Sequence, residues 1–359
     1  MLWSQFSLWV FYHITGLIWY NSIMLSSDLD LSVLIVTWRG DELLRNCLDS
    51  IGRVYGSTGV EIVVVDNGCL ASTKEIVFCV PNAKYVASPT NLGFAGGNNL
   101  GFLHCTKKYV LLLNNDTVVR EDAFSPMIEY METHPRVAVI QGKMVLPLEG
   151  CRLDVCGYLM TPWGPRVGKT RSVTRPVLAG KGACLMFRRS ILKEIGGVLF
   201  HEFFFNNHEE IDFCHRVWLM GHEVHYVDSP AIEHLSGQTF KKNPKRDVAV
   251  AALMMANYYT SLLTVLEMRS LLSIGIRSLL FDVFFFCAFV GTFKWRKGLV
   301  YPRALVRLMG RLPLLLRIRR DIQRSRKISD RDLFNMVLVR PPYVHYLHAI
   351  RGVKEDLPY

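Results

Sequence analysis

No Cys-x-x-Cys pair occurs among the nine cysteines of this 359-residue chain, and their number is odd. That usage signals neither a zinc ribbon nor a disulfide framework, and reduced thiols in a cytosolic compartment are the simpler reading. Low-complexity tracts are missing, and 50% of the residues are hydrophobic, which excludes a disordered chain. Formal charge is absent from residues 1–25, a stretch that includes Trp3, Trp9, Phe11, Trp19 and Tyr20. It reaches the about 20 apolar residues that a bilayer span needs, yet it lacks the basic start of a secretory signal peptide. It reads as one membrane segment, as an interfacial helix, or as sequence upstream of a true start at Met24. Acid is scarce between Lys294 and Lys327, where twelve basic residues meet only Asp321; that excess of eleven equals the net charge of the whole chain. A basic block inside an apolar tail points to anionic lipid headgroups and away from nucleic acid.

Between residues 31 and 240 the pattern is α/β. The runs LSVLIVT (31–37), EIVVVD (61–66), KYVA (84–87) and YVLLLN (109–114) read as strands separated by helical stretches. Continuous apolar strands alternating with helices predict a mostly parallel, Rossmann-like sheet covered on both faces. Ligands bind such sheets beyond the carboxyl ends of the strands, which is where Asp66 and Asn114-Asn115-Asp116 fall. After about Val248 the chain becomes apolar and basic together. Glu267, Arg269, Arg277 and Asp282 interrupt the apolar run over 257–293, and Pro313 breaks any single helix over 303–327. Helices lying in a membrane interface are expected there. The organisation is an apolar segment over 1–27, a catalytic domain over 28–247 and a helical membrane-associating extension over 248–359.

Five motifs carry chemistry. Asp66-Asn67-Gly68 offers a carboxylate to a base or ribose, although the same trio makes turns. In the run from Asn91 to Gly101, four glycines, Gly93, Gly96, Gly97 and Gly101, would let backbone approach a ligand, and the following helix would offer N–H groups to phosphate. It is not the dinucleotide fingerprint, which belongs after the first strand, where this chain reads Trp38-Arg39-Gly40-Asp41. Asp116 comes after an apolar strand and can ligate a hard divalent cation that bridges a diphosphate; it can equally cap a helix. Glu209 and Glu210 open a helix, whose positive end favours their ionised form, and one of them could take a proton from a hydroxyl. His234 comes after another strand and could complete a metal site.

In this order the motifs resemble the family 2 glycosyltransferases, inverting enzymes with a GT-A fold, and most of all those of the bacterial rhamnosyl- and galactofuranosyltransferase kind. VLIVTWRGDELLRNCLDSI, IVVVDNG, NLGFAGGNNLGF, VLLLNNDTVV, GKGACLMFRRSILKEIGG, FFFNNHEEIDFCHRVWLMGHEV and EHLSGQTF carry the likeness. The resemblance implies a donor site of Thr37, Asp66, Asn67, Asn91, Gly93, Gly96, Asn98 and Asn115. It implies Asp116 and His234 as ligands of Mg or Mn, Glu210 as catalytic base with Glu209 beside it, and acceptor contacts from Asp212 and Arg216. Arg39 stands where asparagine is usual, Cys69 where serine is usual, and Val198-Leu199 where Phe-Asp is usual. These departures blur the identity of the donor.

The expected activity is metal-dependent, inverting transfer of a sugar from a nucleotide-diphosphate donor to a saccharide or lipid-linked saccharide. The expected location is the cytoplasmic face of the cell membrane, held peripherally or by one N-terminal segment. A nucleotide-sugar-binding protein with a decayed site would lack one of Asp116, Glu210 and His234. A sugar-1-phosphate nucleotidyltransferase would carry a basic, glycine-rich loop after the first strand, which Thr37-Trp38-Arg39-Gly40-Asp41 is not.

Overall fold

The computed structural model describes residues 29–56, 59–167, 172–236 and 244–338. The apolar segment expected over 1–27 lies outside them, as do residues 339–359.

The first half alternates strand and helix: β1 (Leu31–Thr37), α1 (Asp41–Tyr55), β2 (Glu61–Asp66), α2 (Ala71–Phe78), β3 (Ala83–Ala87), α3 (Gly93–Phe102) and β4 (Tyr109–Leu113). Then come β5 (Thr117–Val119), α4 (Phe124–Thr133), β6 (Val137–Gln141), β7 (Met144–Leu146), β8 (Arg152–Leu153), β9 (Tyr158–Thr161), β10 (Gly164–Val167), β11 (Arg175–Pro176) and β12 (Cys184–Arg188). The short α5 (Ile191–Glu194), α6 (Glu209–Leu219), β13 (Glu223–Tyr226) and β14 (Ile232–His234) complete this part. The eight-stranded main sheet has the order β11-β13-β6-β12-β4-β1-β2-β3. Its β4-β1-β2-β3 half is parallel, as the sequence pattern predicts. β12 enters antiparallel between β4 and β6, so the whole sheet is mixed.

Alternation along the strands feeds two cores. Leu34, Val63 and Val65 face one side with α3 and α6; Val33, Ile35, Ile62 and Val64 face the other with α1, α2 and α4. All five residues of β4 are buried, because both faces of the sheet are covered.

The C-terminal part is α7 (Pro244–Val265), α8 (Met268–Gly291), α9 (Trp295–Gly298), α10 (Val300–Ser325) and α11 (Asp330–Val337). Leu262, Val265 and Leu266, with Ile274, Ile322 and Leu333, belong to the same buried cluster as Val217 and Trp218 of α6. Position 247/248 falls inside α7, whose later residues join that cluster. The break expected at Pro313 does not occur: α10 runs through it. Packing on α7 offsets the lost hydrogen bond, since Leu315 and Ile322 are buried and Arg319 donates to the carbonyls of Leu263 (2.5 Å) and Leu266 (2.6 Å). Part of the basic block thus serves the fold: Arg319 caps α7, and Arg326 pairs with Glu267 (3.2 Å) and Asp330 (2.6 Å).

Candidate active site

Parallel pairing aligns Thr37 with Asp66, so β1 and β2 end together at the edge where Asn115 and Asp116 come after β4. Asn115 Nδ2 donates to Thr37 Oγ1 (2.9 Å) across that edge. β14 pairs antiparallel with β5, setting His234 opposite Thr117, and the amide of Leu235 donates to the carbonyl of Asp116 (2.9 Å). This pairing brings two residues distant in sequence to one point: His234 Nε2 stands 3.4 Å from Asp116 Oδ1.

Asp154, just after β8, accepts from His234 Nδ1 (2.7 Å) and from Lys181 Nζ (2.7 Å) on its Oδ2. A carboxylate can only accept, so Nδ1 carries a proton and Nε2 faces Asp116. Burial disfavours charge on His234, but the Asp116 carboxylate close by and the hydrogen bond to Asp154 outweigh it and raise its pKa. Burial would likewise raise Asp154; the bond from His234 and the Lys181 ammonium hold it well below the usual carboxylate range. Asp116 Oδ1 is buried without a hydrogen-bond partner. One orphaned carboxylate oxygen and one oriented imidazole nitrogen, 3.4 Å apart, fit a divalent cation whose other positions are filled by a ligand's oxygens. Among the described residues no group of three side chains could hold a metal alone.

Glu209 and Glu210 begin α6, and both are buried. Tyr158 Oη donates to Glu210 Oε1 (3.3 Å), while Oε2 of each glutamate lacks a partner. Burial raises both carboxyls. The neighbouring charge of Glu210 pushes Glu209 further up, and the Tyr158 hydroxyl and Lys181 charge restrain Glu210. The two carboxyls titrate as a coupled pair, both raised by burial, with Tyr158 and Lys181 favouring the charged form of Glu210.

Other expected site residues make hydrogen bonds within the fold. Asp66 is fully buried and accepts from the amides of Gly68 and Leu70 (both 2.8 Å) and from Tyr85 Oη (3.0 Å), so it closes its own turn. From Gly93 onward the glycine-asparagine run forms the helix α3. A Cβ on Gly97 would lie 2.7 Å from Val36 Cγ1, and one on Gly101 would lie 2.3 Å from Leu34 Cδ1, so these glycines let α3 lie flush on β1. Gly93 has φ +70, and Gly96 packs on Leu92. Asn91 Oδ1 accepts from the amide of Gly93 (2.9 Å), Asn98 Nδ2 donates to Phe94 O (2.8 Å), and Asn67 Nδ2 donates to Gly93 O (2.9 Å). Of these three, Asn67 retains a buried, unpartnered Oδ1. Asp212 and Arg216, expected at the acceptor, are buried and paired at 2.8 Å, and Arg216 also donates to Val198 O and Leu199 O.

Residues 32–196 match the sequence model described as glycosyl transferase family 2. The chain carries a glycosyltransferase family 2 domain. The matched stretch holds Asp116, Asp154, Tyr158 and Lys181 and ends before Glu209, Glu210 and His234. The low-salt glycan biosynthesis hexosyltransferase Agl10 of Haloferax volcanii is 30% identical over 201 residues, 52% of this chain and 61% of Agl10. A poly-beta-1,6-N-acetyl-D-glucosamine synthase of Staphylococcus epidermidis is 24% identical over 173 residues, 46% of this chain and 41% of the synthase. The chain thus spans less than two thirds of either relative. Among solved structures, GalNAc-T7 with UDP, GalNAc and Mn2+ superimposes with a TM-score of 0.52 at 14% identity, covering 67% of this chain and 48% of its own. The mannosyltransferase PcManGT of Pyrobaculum calidifontis, in complex with GDP-Man and Mn2+, gives 0.50 at 15% identity, covering 80% and 76%. The glycosyltransferase domain therefore has a GT-A-like fold, with a C-terminal helical region after it.

Asp154, Lys181 and Tyr158 were not legible as site residues. Lys181 lies within the matching run GKGACLMF, but nothing in its spacing marks it.

Proposed function

We propose that this chain transfers a sugar from a nucleoside-diphosphate donor to a hydroxyl of a saccharide or lipid-linked saccharide, inverting the anomeric centre. The observation that carries this reading is a pair of buried, unpaired carboxylate oxygens, Asp116 Oδ1 and Glu210 Oε2, with Lys181 acting on both neighbourhoods. Asp116 and His234 would hold Mg or Mn, which when bound would supply a Lewis acid to the leaving diphosphate. Asp154 keeps the imidazole turned toward Asp116. Glu210 takes the acceptor hydroxyl's proton on Oε2 while Tyr158 holds Oε1. Lys181 favours the ionised Glu210, and Glu209 orients acceptor hydroxyls. A single displacement needs one base, and inversion is its stereochemical result. Mn2+ in both solved neighbours supports the metal assignment.

The work site is the cytoplasmic face of an anionic membrane. Supporting this, α8 is a 24-residue apolar helix with only Ile274 and Ser278 buried, and Leu280, Val283, Phe284, Leu305, Val306 and Met309 are exposed beside Arg303 and Arg307.

Calorimetry with UDP- and GDP-hexoses, with and without chelator, then turnover on a lipid-linked saccharide, tests the reading. Glu210→Gln is expected to keep donor binding and lose about 10²–10⁴-fold in turnover. Near-normal turnover in that variant would remove Glu210 as base, and binding and turnover indifferent to chelator would remove the metal.

A further inference from the structure

The loop that delivers the paired glutamates is held in an unfavourable backbone shape. Phe205 (φ 58), Asn207 (φ 69) and His208 (φ 73) all lie in the left-handed region, and none is glycine. Such residues persist only where their surroundings over-determine them. Here one side chain of α7 supplies three of the contacts that hold the loop. Asn257 is fully buried, and its Nδ2 lies within hydrogen-bond reach of the carbonyls of Phe204 (2.8 Å), Asn206 (3.2 Å) and Asn207 (2.9 Å). Its Oδ1 has no partner, and turning the amide over would aim that oxygen at three carbonyl oxygens, so its orientation is determined.

The next residue of α7 grips the other side of the pair. Tyr258 Oη donates to Trp163 O (2.6 Å) in the β9–β10 hairpin, whose first residue is Tyr158. Gly164, with φ +96, permits this approach, because a Cβ there would lie 2.3 Å from Tyr258 Oη. The Tyr258 ring also meets the His208 ring edge-on at 5.8 Å. Asn257 thus sets Glu210 and Tyr258 sets Tyr158, the two ends of a hydrogen bond that is already long at 3.3 Å.

We propose that Asn257 and Tyr258 are positioning residues for the Glu209–Glu210 pair, so that α7 belongs to the catalytic apparatus. This rests on the reading of Glu210 as base. When the Asn257 clamp is lost, the loop relaxes toward ordinary φ values, the start of α6 shifts, and the carboxylates leave their place against Tyr158 while the Asp116–His234 site stays intact.

Full-length Asn257→Asp, Asn257→Ala and Tyr258→Phe test it. Nucleoside diphosphate release from UDP- and GDP-hexoses, with a lipid-linked disaccharide acceptor, gives kcat and KM; calorimetry gives donor binding. Carboxyl-carbon NMR tracks the ionisation of Glu209 and Glu210, and hydrogen exchange tracks the amides of Ala95 and Asp212, which donate to Phe205 O and His208 O. In the Asn257 variants kcat is expected to fall roughly 10–100-fold with donor affinity within about twofold, the size of a misplaced reacting group. Tyr258→Phe is expected to lower kcat in the same way to a smaller degree. In the Asn257 variants both carboxyls should titrate at lower pH and both amides should exchange faster. Adding Asn207→Gly and His208→Gly to Asn257→Ala should restore part of kcat, because glycine takes left-handed φ without strain. Should the single Asn257 variants not fold, Tyr258→Phe and the glycine-relieved variant decide the matter. A folded variant with unchanged kcat and unchanged carboxyl titration overturns the proposal, as does loss of donor affinity in step with kcat. Glu210→Gln run alongside separates the two ideas: if it keeps turnover, the base assignment fails, while exchange and titration still report on the clamp.

Discussion

Replacing Asp154 by asparagine keeps the side chain's shape and removes the charge that orients His234 and anchors Lys181. Metal affinity is expected to fall about 10–100-fold, the usual effect of losing a partner behind a ligand, read by Mn2+ titration in electron paramagnetic resonance. Unchanged affinity would dissociate Asp154 from the site. A second residue-scale test concerns Glu61, at the amino end of β2. Burial would raise its carboxyl, but Lys84, Ser32 and Thr106 lower it from 4.5 to about 2. A depressed carboxyl stabilises the fold above its unfolded value and loses that contribution as pH falls. The melting temperature should therefore drop faster between pH 4.5 and about 2 in the parent than in Glu61→Gln; parallel curves would contradict it. Asp116, Glu210 and His234 were legible because each sits where a strand or helix begins or ends. Asp154, Lys181 and Tyr158 were not, because they come from the end of a two-residue strand, a loop and a hairpin that carry no periodic signal.

At the scale of the element, α3 separates a motif from its meaning. Its glycines read as a loop for phosphate, since glycine-rich runs and helix starts both serve that purpose. In the fold they are the face of a helix pressed on β1 and β2, where a Cβ on Gly97 or Gly101 would collide with Leu34, Val36 or Val65. Gly101→Ala should destabilise by about 1–3 kcal/mol, the cost of overpacking a tight core. The measurement is urea unfolding, and a midpoint equal to the parent's would refute the packing account. Pro313 teaches the same lesson in reverse: a residue that breaks isolated helices is carried inside α10 because α7 holds the turns that come after it.

At the scale of the whole molecule, the extension is both core and surface. Leu262, Val265 and Leu266 are buried with α6, whereas α8 and the outer side of α10 expose large apolar side chains. The full chain should sediment with anionic vesicles and be released only partly by salt, because screening removes the charge contribution and leaves the apolar one. Full recovery in the supernatant at low salt would exclude the surface role. A chain cut before Asn257 should fail to give the parent's cooperative unfolding, since the cut removes core residues as well as exposed apolar ones. An unaltered melt would restore the two-part division.

Composition and order along the chain determined the α/β class, the parallel β4-β1-β2-β3 half and the residues at strand ends, because these depend on periodicity and on the side chains placed where an apolar run stops. Only the tertiary structure decided which polar groups are free. Asp66, Asn91, Asn98, Asp212 and Arg216 look as ligand-ready in one dimension as Asp116 and Glu210 do. In the fold each of them is engaged by a neighbour, whereas Asp116 Oδ1 and Glu210 Oε2 are buried with their hydrogen bonds unmade. That difference is a matter of contact in space, and spacing in sequence does not encode it.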